Sequence, residues 1–244
     1  MIERKDEKRG GNVKLRNAFD SAKRFIATCF PDCVAALLSG SAARGKTTAT
    51  SDLDIVVIQN GNKHYRNAYI FEDWPVEVFV QSEDSLFFFF QIEQEEGLPL
   101  LIRLCAEGVP IRGEKTVKKV RKDAMNLLAD GPNPWPEKKI KESRYILTYL
   151  LEDLEGSGQH NENIFTAHTI IEQALVFYLR SHKQWIGEGK WLYRSLLDLD
   201  QDFAEQFASV ITHFHKTGHK QELIKLIDQM MDPYGGRFFE GFTG

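Results

Sequence analysis

One short stretch divides the sequence into halves with different periodicities. Residues 131–136 read Gly-Pro-Asn-Pro-Trp-Pro. Neither a helix nor a central strand runs through three prolines so closely spaced. Before this stretch lie short, near-continuous apolar runs such as Cys33–Leu38 and Ile55–Ile58. After it, apolar residues recur at helical spacing. Ile140, Leu147, Leu150, Leu151 and Leu154 form one face, and Ile164, Ala167, Ile170, Ile171, Ala174, Leu175 and Tyr178 form another. The expected class is α+β. Residues 1–130 are expected to form a mixed β-sheet flanked by helices, and residues 137–244 an antiparallel helix bundle.

The N-terminal half can be read in more detail. Residues 1–12 are a charged leader, and Val13, Ala18, Ala22, Phe25 and Ile26 mark a helix over 13–29 that ends before Pro31. Residues 33–40 form a strand, 41–50 a small polar loop, and 52–58 a second strand. Asn60-Gly61-Asn62 is a turn, followed by strands over 64–72 and 75–80 around Asp73-Trp74. A helix is expected from Ser82 until Gly97 and Pro99 stop it, then a short strand at 109–111 and a basic helix over 115–129. In the other half, further helices are expected near 190–198, 202–216 and 219–231.

Charge narrows the function. With 31 basic and 35 acidic residues the chain is at −4, not the basic balance of a protein that coats a nucleic-acid backbone. No stretch approaches the ~20 apolar residues of a membrane span, and the Leu86–Phe90 run is too short. The N-terminus lacks a signal-peptide pattern, so the cytoplasm is expected. Cys29, Cys33 and Cys105 suit a reducing compartment and read as buried apolar residues, since Cys29 and Cys33 lack CxxC spacing. His213 and His215 are two apart and read as a solvated helix end.

The chemistry gathers around Gly40-Ser41, which ten residues (42–51) separate from Asp52-Leu53-Asp54. On a strand, Asp52 and Asp54 point to one face about 7 Å apart, while Leu53 and Ile55 point the other way. Paired carboxylates repel and raise each other's pKa, and a divalent cation relieves this. An all-oxygen set selects a hard ion, magnesium or manganese. Gly40 lets the backbone approach a ligand, and the Ser41 hydroxyl, free backbone N–H groups, Arg44 and Lys46 can meet phosphate oxygens.

These residues resemble the nucleotidyltransferase superfamily of the polymerase-β type, whose signature is Gly-Ser, a spacer, then Asp-x-Asp. The family adds a third carboxylate between apolar strand residues. Glu77, in Pro75-Val76-Glu77-Val78-Phe79, fits that position, with Glu72 and Asp73 as rivals. The resemblance implies two metal ions on Asp52, Asp54 and Glu77, a nucleoside triphosphate (ATP is the expected donor), and loss of pyrophosphate as an acceptor oxygen attacks the α-phosphorus.

The helical half resembles that of bacterial nucleotidyltransferase-domain proteins in Ser143–Gly156 and Gly187–Leu196. Lys190 and Arg194 share a helix face and are candidates for triphosphate contact, against an exposed basic face as the plain alternative. Glu172, one turn after His168, is the candidate general base, with Glu152 and Asp153 as rivals. The overall plan is similar to that of antibiotic nucleotidyltransferases, which implies transfer of a nucleoside monophosphate to a hydroxyl of a small molecule. Two alternatives stay open: an antitoxin-like or regulatory enzyme acting on a protein, and a catalytically silent nucleotide-binding module. Helical toxins partnered with such antitoxins carry Arg, four to six residues, then His, and no pair here has that spacing. A homodimer is also open.

Overall fold

The structure, a computed structural model, describes residues 7–48 and 50–243, with side chains from Ala18 onward. Five strands and ten helices are described. In chain order they are α1 (Glu7–Cys29), β1 (Ala35–Ser39), α2 (Gly40–Ala43), β2 (Leu53–Ile58), β3 (Tyr65–Phe71), β4 (Trp74–Gln81), α3 (Glu83–Glu96), α4 (Leu100–Glu107), β5 (Val109–Arg112) and α5 (Glu114–Asp130). The helical half comprises α6 (Glu137–Gly156), α7 (His160–Ser181), α8 (Lys190–Leu199), α9 (Gln201–Thr217) and α10 (Gln221–Met231). The α+β class is as expected.

Several boundaries move. Residues 1–6 of the expected leader, and the side chain of Val13, lie outside the described residues. The first helix begins at Glu7 rather than 13, because Glu, Lys and Arg are good helix formers even without an apolar stripe. Asp52 precedes β2 by one residue. The hairpin turn is Glu72-Asp73, and Trp74 opens β4 as a buried residue. Residues 100–107 form a helix that the sequence pattern does not predict, α4, whose first N–H groups are capped from a distance. Leu101 N–H and Ile102 N–H donate to the buried Glu93 carboxylate at 2.6 and 2.9 Å. Cys33 and Cys105 are buried, but Cys29 is exposed at the C-terminal end of α1. By helical spacing Cys29 falls on the same stripe as Ala18, Ala22, Phe25 and Ile26, which meets the sheet, but as the last residue of α1 it is not part of the buried cluster.

The chain divides into two compact units. One comprises Met1–Gln94 and Pro99–Asp130, the other Glu95–Leu98 and Gly131–Gly244. In the first, the sheet order is β3-β4-β2-β1-β5. β2 and β4 run parallel, and the other neighbours run antiparallel. Alternation then sorts the side chains. Ala36, Leu38, Leu53, Ile55, Val57, Val76, Val78 and Val80 face α1 and form one buried cluster with its apolar stripe. Residues of the opposite parity, including Ser39, Asp54 and Glu77, face the other side. There the Ser39 hydroxyl donates to the Leu104 carbonyl of α4 at 2.5 Å.

The two-residue hairpin turn between β3 and β4 needs positive φ at both central residues, and Glu72 (49°) and Asp73 (64°) supply it. A glutamate adopts this backbone at a cost that its side-chain bonds offset. Glu72 accepts from Ser21 at 2.9 Å and from Arg24 at 2.7 and 2.6 Å, tying the turn to α1.

The helical unit is built on a single core from Leu147, Leu151, Ala167, Ile170, Phe177, Leu196, Phe207, Phe214, Leu223 and Ile227, among others. Lys220 caps the end of α6 by donating to Leu154, Glu155 and Ser157 carbonyls at 2.6 to 2.9 Å. The short segment Glu95–Leu98 joins this unit through Arg180, which is only 1% exposed. Its Nη2 donates to the Glu95 carbonyl at 3.0 Å and the Asn133 carbonyl at 2.8 Å. Gly97 lies directly on this guanidinium at φ +79°, where an added Cβ would fall 2.6 Å from Nε. Gly97→Ala should therefore lower stability by about 2–3 kcal/mol, from left-handed strain plus displacement of a buried side chain. The midpoint of urea unfolding, followed by far-UV circular dichroism, measures it.

Candidate functional site

Strand pairing assembles the acidic cluster. Asp54 pairs with Ser39 of β1 on one side and with Glu77 of β4 on the other. The in-register parallel pairing places Asp54 and Glu77 side by side on one face, although they are 23 positions apart in sequence. Asp52, just ahead of β2, completes the group. One carboxylate oxygen from each of Asp52, Asp54 and Glu77 lies within 4.8 Å of the other two, and all three residues are half-buried. The rivals for the third place are elsewhere: Glu72 is bonded to α1 and Asp73 sits in the turn.

Such crowding has a cost that shows in Asp54. Burial first, then the charges of Asp52 and Glu77, push its pKa up to about 6, against the opposing pull of Arg44 and Arg66. The cluster therefore fits a hard divalent cation on two grounds. Its donors are all oxygens, and a cation would remove the repulsion that raises Asp54.

Gly40 adjoins the cluster so closely that no other residue fits. Its φ is +65°, and a Cβ built there would lie 1.8 Å from Asp54 Oδ2. Ser41 follows in α2, and the Lys46 N–H donates to the Ser41 carbonyl at 3.0 Å, folding the loop back on that turn. Lys46 is thereby held near Ser41 and is exposed. Arg44 forms an ion pair with Glu107 of α4 while remaining within electrostatic reach of Asp54. Gly40, Ser41, Arg44 and Lys46 thus occupy one turn beside the carboxylates.

The sequence reading missed Arg66. This β3 residue donates to Glu77 Oε1 through Nε at 2.7 Å and forms an ion pair with the same oxygen, its Nη2 lying 2.6 Å away, with its guanidinium 5.0 Å from the Phe79 ring centre. Tyr65–Ala68 are all exposed, so the segment carries no alternating pattern from which its role could be read.

The other sequence candidates belong to the helical unit and are described within it. Glu172 is exposed on α7, 3.8 Å from His168 Nε2, with side chains 57% and 73% exposed. Lys190 and Arg194 lie on α8 and are exposed, with the Arg194 guanidinium 4.7 Å from the Trp191 ring centre. His213 and His215 are exposed near the end of α9, which closes on Gly218.

Part of the chain matches a known family. Residues 22–112 match the family model of the nucleotidyltransferase domain, a span that contains the whole acidic cluster and the Gly40–Lys46 turn. Among solved structures, the chain is similar to a nucleotidyltransferase-like protein from Exiguobacterium sibiricum at 12% identity and a TM-score of 0.47. That match covers 88% of this chain and 74% of the other. No curated protein matches the chain. No described helix is long and apolar enough to cross a membrane.

Proposed function

With residues 22–112 a nucleotidyltransferase domain, we propose that this protein transfers a nucleoside monophosphate from a triphosphate, ATP foremost, to a hydroxyl of a small molecule. The observation that carries this reading is the complete carboxylate cluster of Asp52, Asp54 and Glu77 beside Gly40. A silent descendant of such a domain has no reason to retain three mutually repelling, half-buried acids. A small acceptor is favoured over RNA or DNA by the acidic balance of the chain.

Asp52 and Asp54 would hold both divalent ions, and Glu77 one of them. When bound, magnesium or manganese supplies positive charge to the triphosphate and to the charge that builds in the in-line transition state. The chain's own groups do the rest. The Ser41 hydroxyl and the Arg44 and Lys46 cations would orient the β- and γ-phosphates. In the reaction, the acceptor oxygen forms a bond to the α-phosphorus as the bond between that phosphorus and the bridging oxygen breaks. Pyrophosphate takes the electron pair, and the hydroxyl proton passes to a carboxylate. We assign that base to Glu172, exposed beside His168, and further phosphate contact to Lys190 and Arg194. In this proposal residues 1–130 are the catalytic domain and residues 137–244 a helical bundle domain. The cysteines, all unpaired, suit a cytoplasmic setting.

Calorimetric titration with ATP, GTP, CTP and UTP, with and without magnesium, tests the proposal on the wild type and Asp54→Asn. Magnesium-dependent binding of one nucleotide, lost in the variant, is expected. Pyrophosphate release with aminoglycosides and lincosamides then screens acceptors for an antibiotic role. Absence of binding by any of the four nucleotides to the folded protein would overturn the reading.

A further inference from the structure

Arg66 is bonded to one of the three carboxylates of the acidic cluster, that of Glu77. Arg66 reaches Glu77 diagonally across the β3–β4 ladder, since Arg66 pairs with Phe79 and Ala68 with Glu77. Its hydrogen bond and its ion-pair contact both fall on the single oxygen Oε1. The arginine side chain is 58% exposed and that of Glu77 26% exposed, so the arginine can swing outward while the glutamate is fixed by its strand. Its field also reaches Asp54.

We propose that Arg66 is the resident counter-cation of the cluster. It neutralises Glu77 while the site holds no metal, yields that carboxylate when a divalent ion enters, and then offers its two-pronged guanidinium to the incoming triphosphate. This rests on the metal-binding reading of Asp52, Asp54 and Glu77 given above. The chemistry supports both halves. A guanidinium and a divalent cation compete for the same carboxylate charge, and a displaced arginine a few ångströms from the site matches phosphate geometry with paired N–H donors. Arg66 is thus a positioning residue whose charge sets metal affinity, and the edge strand β3 becomes part of the nucleotide site.

Two substitutions separate charge from shape. Arg66→Gln removes the charge and keeps a polar chain of moderate length, and Arg66→Lys keeps the charge without the fork. Manganese binding to the metal-free full-length chain, followed by electron paramagnetic resonance of the free ion, is the primary measurement. One unit charge about 6 Å from a divalent ion in a water-like dielectric changes affinity by about tenfold. Arg66→Gln should therefore bind manganese roughly five- to tenfold more tightly than wild type, and Arg66→Lys within about twofold of it. With manganese saturating, a non-hydrolysable ATP analogue should bind Arg66→Gln at least about tenfold more weakly, because charge-assisted bonds to phosphate are lost. Unchanged or weaker manganese binding by Arg66→Gln, with wild type binding normally, overturns this inference and leaves the metal site standing. Unchanged binding of the ATP analogue overturns its phosphate half. Failure of wild type and both variants to bind manganese at all overturns the metal site and this inference together.

Discussion

Replacing Asp54 with asparagine should make the metal-free protein more stable at neutral pH while removing its affinity for magnesium. The sign follows from the raised pKa, about 6 in the folded chain against about 3.9 for an unfolded aspartate. Between these values the folded state keeps a proton that the unfolded state has released. Fewer protons are bound on unfolding, so stability falls as pH rises from about 4 to 6 and is level above that window. Half-burial discounts the full shift, leaving a penalty on the order of 2 kcal/mol at pH 7. Asparagine occupies the same volume without ionising. In EDTA, the unfolding midpoint of the N-terminal unit should therefore drop between pH 4 and 6 in wild type, relative to Asp54→Asn. The two should coincide near pH 4, and the variant should lead by about 2 kcal/mol at pH 7.5. Saturating magnesium should raise the wild-type midpoint and leave the variant unmoved, since only a ligand bound to the folded state stabilises it. Identical pH profiles for the two proteins would mean that Asp54 bears no such burden. A gain in stability coupled to a loss of binding is the pattern expected when a site is held in an unfavourable arrangement for its function.

The acidic cluster was legible because it rests on short-range rules. Period-two alternation puts Asp54 and Glu77, with Asp52 just ahead of β2, opposite in parity to Leu53, Ile55, Val76 and Val78, and those four residues are buried. The apolar flanks distinguish Glu77 from Glu72 and Asp73, which lie where turn residues lie. What sequence could not give is the outcome of long-range pairing. Arg66 lies in the uniformly exposed first half of β3, and nothing local says that it faces Glu77 rather than solvent. Glu93 reads as one more polar residue of a helix that is rich in them, until α4 turns back and puts two bare N–H groups against its carboxylate. One compact unit runs to Asp130 and the other takes up the chain at Gly131. Yet Glu95–Leu98 joins the helical unit because a buried arginine 85 residues along the chain needs its carbonyl. Charged side chains that act at a distance leave no periodic trace, whereas those placed by strand alternation do.

Gly40→Ala should disable the site more thoroughly than its single methyl suggests. Backbone strain at φ +65° costs about 1–2 kcal/mol for any residue with a Cβ. The larger effect is steric, because that Cβ would sit 1.8 Å from Asp54 Oδ2 and 2.9 Å from its Cγ. Asp54 cannot retreat along its strand: Leu53 and Ile55 beside it are fully buried, and its backbone lies between β1 and β4. The carboxylate must rotate away from Asp52 and Glu77, and a misplacement of about 1 Å in such a cluster costs on the order of 100-fold in function. Magnesium-dependent ATP affinity should fall by about that factor, with a loss of stability of roughly 2–4 kcal/mol. Gly61→Ala is the control. Its φ is also positive, at +97°, but a Cβ there meets nothing within 4 Å, so it should cost backbone strain alone and leave nucleotide affinity intact. A double-mutant cycle of Gly40→Ala with Asp54→Ala separates the two contributions. Once the carboxylate is gone the alanine has nothing to strike, so the stability cost of Gly40→Ala should shrink to its backbone part. Full additivity would show that the glycine is required by the chain turn into α2 and not by its contact with the carboxylate.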